Sequence, residues 1–399
     1  MTSDQPDMRQ AWIDFCDEIK GAVDYVFDPD QVTDSPVDEA EGVRHVLRSL
    51  IKASLATFEN SDAQHPELGW FHPSKMGLDN PDAFYQSAPV DLHYAYELSG
   101  NIGSVAYLGF ALMSMNWGTG EIELLRSLNV AELAPDEAGQ FAVILSPDPD
   151  PGDTGHPWFQ LPEKRTSLLV RQFLSDWENE DVAEMSLRCL DPDGLPPRMT
   201  PAELVANLGR VASEVNRVPQ HWNDYYRGHI ERGEVNSFAH IEPVPAEDVG
   251  ALGGSTEQLY AECWFEVGPS EALLIEVEVP DCVYWNVQLG DIWGQSVDWV
   301  NRQTSLSGGQ AVLDDGVFRA VLSHADPGYA NWLDLHDLSQ GLVLFRWNQS
   351  DVVPLPQARV VSIDELAAAM PVTELAVSLS DRADVLARRR RAALGRVLR

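Results

Sequence analysis

The sequence predicts a mainly β protein with helical additions (α+β). Two related jelly-roll-like β-modules are joined by a helical insertion, and helices flank them at both termini. Three observations predict this class: a motif that occurs twice, a high density of short strands separated by turn residues, and segments with helical periodicity.

The repeated motif carries most of this prediction. Each copy has an acidic-Gly turn, a strand that ends in Leu-Ser, an Asp-Pro-Gly turn, a Trp, a Leu and an apolar strand that carries an Arg. The first strand of the motif begins at Phe141 in one copy and at Phe318 in the other, and the arginines are Arg171 and Arg346. The two copies lie nearly half a chain apart, which is too far for a solenoid repeat and indicates two related β-modules.

Short apolar segments bounded by Gly, Pro and Asp predict the strands of both modules, as in a sandwich or a jelly roll. The chain from 70 to 91 reads instead as a turn-rich entry to the first module. The predicted strands are 92–99, 103–114, 119–126, 140–146 and 166–173 in the first half, and 257–267, 271–279, 282–289, 316–323 and 341–347 in the second.

Helical periodicity predicts helices over 8–26 and 37–59. In the middle of the chain, Thr200 and Glu203 form a capping box with Pro201 at the first helical position, and a second helix is predicted from His221 to Arg232. A basic helix closes the chain, and we expect it to dock on the acidic body. The predicted domains are 1–65 for the N-terminal helices, 66–173 for the first β-module, 174–235 for the helical insertion, 236–362 for the second β-module and 363–399 for the C-terminal helical tail.

Composition limits the partners and the compartment. The 399 residues carry a formal net charge of -36, which argues against binding nucleic acid or an anionic membrane surface. The sequence contains neither a membrane-spanning apolar stretch nor an N-terminal secretory pattern, and its four cysteines are scattered. A cytoplasmic protein with reduced thiols is therefore expected.

Spaced residues between 257 and 350 resemble those of DUF1214, an uncharacterised bacterial family. The resemblance implies a jelly-roll-like β-fold and no established reaction. It is carried by Tyr284-Trp285, Asn301, Ser305, Asp315-Gly316, Asp326-Pro327-Gly328, Asn331-Trp332-Leu333 and Arg346.

A polar and aromatic segment around residues 221–232 is the first candidate for chemistry. On a helix, Trp222, Tyr225, Tyr226 and His229 share a face, so a His and two Tyr could perform general acid-base catalysis on a small, largely apolar metabolite. An amphipathic helix covering the β-core explains the same pattern. Further candidate catalytic residues, in a supporting role, are Asp91 and Arg346.

The aromatic side chains suggest a second class of function. The ligand-binding candidates are Trp293, Trp299, Trp222 and Tyr85, which could line a cleft for a sugar ring or an apolar body. The alternatives to an enzyme are therefore a non-catalytic protein that binds carbohydrate or another small molecule, and a scaffold that forms homo-oligomers through open sheet edges.

Common cofactor and metal motifs do not occur in the sequence. There is no close His pair with a downstream Glu, and neither a phosphate-binding loop nor a dinucleotide fingerprint. The expected partner is a small-molecule ligand, with no cofactor and no metal, although dispersed histidines leave a metal site open. Whether the protein is an enzyme stays open as well.

Overall fold

The computed structural model describes residues 6–30, 33, 35–70, 75–164, 166–241, 257–370 and 376–397. Four β-sheets form two sandwiches, and helices lie before, between and after them. The predicted mainly β fold with helices at both ends and in the middle is confirmed. The predicted C-terminal tail includes positions 371–375 and 398–399, which lie outside the described residues.

The first module packs a sheet of order β1-β2-β8-β4-β5 on a sheet of order β7-β6-β3-β9. Its core consists of apolar side chains from alternate strand positions, such as Phe110, Val143 and Val170. Its strands are β1 Gly69–Trp70, β2 Ala83–Val90, β3 Tyr96–Asn101, β4 Tyr107–Asn116, β5 Glu121–Asn129, β6 Gln140–Ser146, β7 Trp158–Gln160, β8 Thr166–Phe173 and β9 Glu184–Cys189.

The second module has sheets of order β10-β11-β18-β13-β14 and β15-β16-β12-β19, with β17 paired to β16. Its core includes Phe265, Val287, Phe318 and Phe345. Its strands are β10 Ala239–Ile241, β11 Gln258–Glu266, β12 Glu271–Glu278, β13 Tyr284–Gly290, β14 Ser305–Ser307, β15 Leu313–Asp314, β16 Val317–Ser323, β17 Trp332–Asp334, β18 Gln340–Asn348 and β19 Gln357–Ser362.

The two modules have matching strand orders. The strands β2, β8, β4 and β5 of the first module correspond to β11, β18, β13 and β14 of the second, and β7, β6, β3 and β9 correspond to β17, β16, β12 and β19. Even the parallel pair of the motif recurs, as β6 with β7 and as β16 with β17. Strand β9 lies beyond residue 173, inside the segment predicted as the helical insertion, and pairs with β3.

Three long helices cover one end of the second module: α1 Met8–Glu18, α2 Pro36–Ser54 and α3 Pro201–Glu231. The capping box of Thr200 and Glu203 begins α3 as predicted. One continuous helix replaces the two predicted ones, although Pro219 lies inside it. Pro removes one helical hydrogen bond, and the buried Val215, Val218 and Tyr226 on both sides of it hold the helix together.

The sheet of β11, β18 and β13 is buried on both faces. One face belongs to the core of the second module, while Trp264, Leu342 and Leu344 on the other face pack under the helices. The remaining part of that outer face meets the first module, where Tyr284 contacts Phe173 with ring centroids 5.1 Å apart. Strands buried on both faces read as continuous apolar runs, which is why these strands were predictable.

A strap from the first module, residues 77–82, inserts into the second. The strap begins with positive φ angles at Gly77 and Leu78. Leu78 N–H donates to the carbonyl of Gly294 at 2.7 Å, and the hydroxyl of Tyr284 donates to Oδ2 of the buried Asp82 at 2.7 Å. The strap therefore fixes the two modules relative to one another.

The C-terminal helix, Leu379–Val397, docks through arginines that are two helical turns apart. Arg382 donates to Asp326 at 2.9 Å, Arg389 donates to the carbonyl of Ser305 at 3.0 Å, and Arg396 donates to the carbonyl of Pro81 in the strap. All three guanidiniums are buried. The helix thus contacts the second module and the strap.

Candidate functional site

The two arginines of the repeated motif occupy equivalent positions. Arg171 on β8 lies opposite Tyr85 on β2, and Arg346 on β18 lies opposite Tyr260 on β11. Both arginines are on the central strand of the sheet that faces the other module, and each is paired across the ladder with a tyrosine. The fold therefore brings two similar Tyr-Arg pairs to the junction of the modules.

Arg346 is buried among neutral partners. Its guanidinium donates to the side-chain oxygen of Gln288 and to the carbonyl of Leu78 in the strap. Within the described part of the chain it forms no ion pair with a carboxylate. Gln288 lies on the neighbouring strand β13, so Arg346 links that strand with the strap.

Tyr85, Tyr226 and Tyr260 interact electrostatically with this arginine. Burial raises the pKa of Tyr85, and the charges of Arg346 and Arg171 oppose that shift. Burial likewise raises the pKa of Tyr260 to about 12, against the same two arginines. Both phenols are therefore neutral near pH 7, and the hydroxyl of Tyr260 donates to the side-chain oxygen of Gln258.

Two tyrosines of α3 complete what we call the inter-module cluster. Tyr226 is fully buried, and burial raises its pKa well above the ordinary value while the charge of Arg346 opposes the shift. Tyr225 packs on it at 5.2 Å between ring centroids. The members of the cluster are Tyr85, Arg171, Tyr225, Tyr226, Tyr260 and Arg346.

His229, one turn beyond Tyr225 on α3, lies between two carboxylates. Its Nδ1 is 2.5 Å from Oε2 of Glu234, and its Nε2 is 2.9 Å from Oε2 of Glu262. The hydroxyl of Tyr225 donates to the same Oε2 of Glu262 at 3.2 Å. Glu262 on β11 is two residues from Tyr260, so both side chains point to the same face of the sheet.

This network limits the chemistry that His229 can perform. Burial alone lowers its pKa, but the hydrogen bonds and charges of Glu262 and Glu234 outweigh burial and raise it. When both ring nitrogens donate to these carboxylates, the imidazole is protonated and holds no free lone pair. In this arrangement His229 positions Glu262, whose Oε2 also accepts a hydrogen bond from the hydroxyl of Tyr225.

The predicted acid-base candidates are brought together except for Asp91. Tyr225, Tyr226, His229 and Arg346 all belong to the cluster or contact it. Asp91 lies in the loop after β2 and accepts the backbone N–H of His93 at 2.9 Å. It is six residues beyond Tyr85 along an extended strand, which corresponds to about 20 Å.

The predicted ligand-binding aromatics lie in three places. Trp222 stacks on Tyr226 with centroids 5.8 Å apart, so it and Tyr85 are at the cluster. Trp293 is fully buried under α2, where its indole N–H donates to the carbonyl of Asp38 at 2.8 Å. Trp299 lies beneath the C-terminal helix, 5.7 Å from Trp177.

Three residues of the site escaped the sequence analysis: Tyr260, Glu262 and Glu234. Glu262 alternates with apolar residues on β11, and a buried acidic residue in an apolar strand could have marked it. The hydroxyl of Tyr260 donates a hydrogen bond to the side-chain oxygen of Gln258. The amide nitrogen of Gln258 in turn donates to Asn348 at 2.9 Å. Glu234 follows α3 directly, and its local sequence gives no sign that its side chain contacts His229.

Among the described residues, no group of three or more His, Cys, Asp and Glu could hold a metal ion. None of the helices in that part of the chain is long and apolar enough to cross a membrane.

The comparisons with known proteins point to uncharacterised bacterial relatives. Residues 235–317 match the model of a family described as a protein of unknown function, DUF1254. The matching family is not DUF1214, so the resemblance to DUF1214 stays a prediction. No curated protein matches the chain.

A crystal structure of an uncharacterised protein from Burkholderia cenocepacia is similar over nearly the whole fold. It is 29% identical with a TM-score of 0.82, and the match covers 89% of this chain and 97% of that one. A protein from Vibrio parahaemolyticus is 12% identical with a TM-score of 0.46, covering 79% of this chain and 96% of that one. The first similarity shows that the fold occurs in another bacterial protein; the second is too weak to carry an argument.

Proposed function

We propose that this protein binds a small organic molecule between its two β-modules. The observation that carries the proposal is the inter-module cluster, in which phenol rings from both modules and from α3 surround a buried arginine. Tyr85, Tyr225 and Tyr260 are only partly buried, so each residue keeps some accessible surface. Junctions between modules, lined by aromatic rings with a few fixed polar groups, are frequent sites for small ligands.

Tyrosine suits such a site because its ring buries apolar area while its hydroxyl finds a polar partner. The apolar neighbours continue the surface: Met113, Leu169 and Ala111 are buried on the outer face of the first module's sheet, next to Arg171. A ligand with a compact apolar or aromatic body and one or two polar groups matches this lining.

Ligand-observed NMR with small aromatic and alicyclic probes tests the proposal. The double variant Tyr85→Phe/Tyr260→Phe removes two hydroxyls without changing ring volume. We expect this double variant to lower the affinity for bound probes about tenfold, as the loss of one or two hydrogen bonds predicts. Tyr94→Phe removes the exposed hydroxyl that donates to Asp193 and serves as the control. An absence of binding by every probe, or equal weakening in the control, would contradict the proposal.

A second candidate function is acid-base catalysis on the bound molecule. It is favoured by the hydrogen-bonded chain from Tyr225 through Glu262 to His229. Glu262→Gln keeps the shape of the side chain and removes its basicity. If this series of hydrogen bonds transfers protons, the variant should still bind an enolisable probe such as acetophenone, within a few-fold of the parent affinity. It should no longer catalyse the exchange of solvent deuterium into that probe, which NMR detects. Equal exchange in both proteins would exclude this role.

A further inference from the structure

We propose that a cavity beside the C-terminal helix binds a small anion that carries a phosphate group. The cavity has a volume of about 220 Å³, less than the roughly 300–1,000 Å³ of pockets for drug-sized ligands, so its ligand is small. It shares no residue with the inter-module cluster and does not depend on the function proposed there. The lining of what we call the C-terminal cavity includes Trp177, Glu178, Arg388, Arg391, Gly395 and Arg396.

The C-terminal helix and the first module both contribute to this lining. Arg388, Arg391 and Gly395 are three and four residues apart, so they lie on one face of the helix. Trp177 and Glu178 belong to the loop that follows β8 of the first module. A ligand in the cavity would therefore contact both the helix and this loop.

One buried donor of the lining lacks an acceptor. Arg396 is 5% exposed and donates through Nη2 to the carbonyl of Pro81, but its Nη1 forms no hydrogen bond with any described residue. The guanidinium lies 4.2 Å from the ring of Trp177 and interacts electrostatically with Asp82, and neither contact supplies a hydrogen bond to Nη1. A buried N–H group without an acceptor is costly. An anion in the cavity would supply that acceptor.

The charges of the lining also favour an anion. Nε of Arg388 lies 3.8 Å from the carboxylate of Glu178, so these two charges balance each other. Arg391 is exposed and forms neither a hydrogen bond nor an ion pair within the described part of the chain. Its full charge outweighs the partial negative charge at the end of the helix, roughly half an elementary charge. Because the chain as a whole has a net charge of -36, an anion must be held by such local donors.

A phosphate group fits these donors better than a carboxylate does. It carries a charge of roughly -1.5 to -2 near pH 7 and offers three acceptor oxygens, whereas a carboxylate offers two oxygens in one plane. The guanidinium of Arg391 can bind two of these oxygens, and Nη1 of Arg396 can donate to the third. Gly395 leaves room for the rest of the ligand, because a Cβ at this position would meet nothing within 4 Å.

Titration calorimetry with inorganic phosphate and with glycerol phosphate, a small phosphate ester, tests this site. We expect at least one of them to bind about tenfold or more tightly than acetate at equal ionic strength. Tighter binding of the ester would identify a phosphorylated metabolite as the ligand, and tighter binding of phosphate would identify the free ion. Acetate binding as tight as that of both phosphate compounds, or binding of neither by the folded protein, would overturn the proposal.

Two pairs of matched variants locate the site. Arg391→Met should weaken phosphate binding about tenfold, because it removes a charged donor. Arg390→Met removes the same charge from a neighbouring residue outside the lining and should change the affinity less than about twofold. Gly395→Leu keeps every charge and occupies the cavity, so it should also weaken binding about tenfold, whereas Gly209→Leu, at an equally open position on α3, should not. Equal weakening by both arginine variants, or unchanged binding in Gly395→Leu, would overturn the proposal.

Discussion

His229 is of a residue type that suggests catalysis, but its contacts give it a structural role. Its side chain is almost fully buried, and both ring nitrogens contact carboxylates from different elements, Glu234 after α3 and Glu262 on β11. The residue therefore fastens the end of the helix to the sheet. Its contact with Glu262 also explains how a buried acidic residue is tolerated on an apolar strand.

This arrangement predicts a pH-dependent stability. The pKa of His229 in the folded protein is raised above its ordinary value of 6.5, so its contribution is fully present below pH 6.5 and is lost as pH rises through the raised pKa. We expect His229→Gln to lower the free energy of unfolding by about 3 kcal/mol near pH 6, because Glu262 loses its buried partner. The deficit should shrink as pH increases.

Urea unfolding at a series of pH values measures this dependence. His93→Gln, at an exposed residue of the first module, is the control and should leave the unfolding curve unchanged. A deficit in His229→Gln that grows with pH would mean that the imidazole is neutral in the folded protein.

At the scale of elements, the C-terminal helix is held by three buried arginines and few apolar contacts. Arg389 donates to the carbonyls of Trp299 and Ser305 at 2.7 and 3.0 Å, whereas the next residue, Arg390, is exposed. The sequence shows a run of four arginines, 388–391, and only Arg389 is buried; Arg388 is half-exposed and lies 3.8 Å from Glu178. The helical periodicity, and not the number of neighbouring charges, determines which arginine is buried against the rest of the protein.

Arg389→Met should destabilise the protein by about 2 kcal/mol or more, since it leaves buried carbonyl groups without their charged donor. Arg390→Met should change stability by no more than about 0.5 kcal/mol. Thermal unfolding followed by circular dichroism compares the two variants. Equal effects would show that the basic run acts through its total charge.

Two helical glycines predict opposite effects of the same substitution. A Cβ on Gly42 of α2 would lie 2.7 Å from the rings of Trp293 and from Val26, while a Cβ on Gly209 of α3 would meet nothing within 4 Å. Gly42→Ala should therefore cost about 1–3 kcal/mol by overpacking. Gly209→Ala should be neutral or stabilise by up to about 1 kcal/mol through helix propensity. Chemical unfolding of both variants measures the difference, and a neutral Gly42→Ala would mean that α2 is not tightly packed on Trp293.

The strands that the sequence predicts best are those of the repeated motif. Strands 140–146 and 166–173 occur with the predicted bounds, because each is an apolar run with turn residues at both ends. Strand β2 was missed because Pro89 and its polar residues resemble a loop. The short strands β7 and β17 depend on pairing with a neighbouring strand, which no local pattern encodes.

At the scale of the whole molecule, the candidate site exists only because the modules face each other. Arg171 and Arg346 were recognisable as equivalent from the repeat, and the residues of α3 from their helical spacing. The partners Tyr260 and Glu262 come from a strand whose facing direction is set by the packing of the whole sheet. Residues on one element were therefore predictable, and the junction between elements was not.

The same junction predicts that the two modules unfold together. The strap 77–82 places Asp82 against Tyr284 and Trp177, and the C-terminal helix contacts the strap through Arg396. Unfolding one module exposes these buried polar groups of the other, which raises the free energy of any half-folded state. Calorimetry should therefore give one transition with a ratio of calorimetric to van't Hoff enthalpy near one. Arg396→Met should lower the transition temperature without splitting the peak, whereas two separate transitions in the parent protein would show that the strap and the helix do not couple the modules.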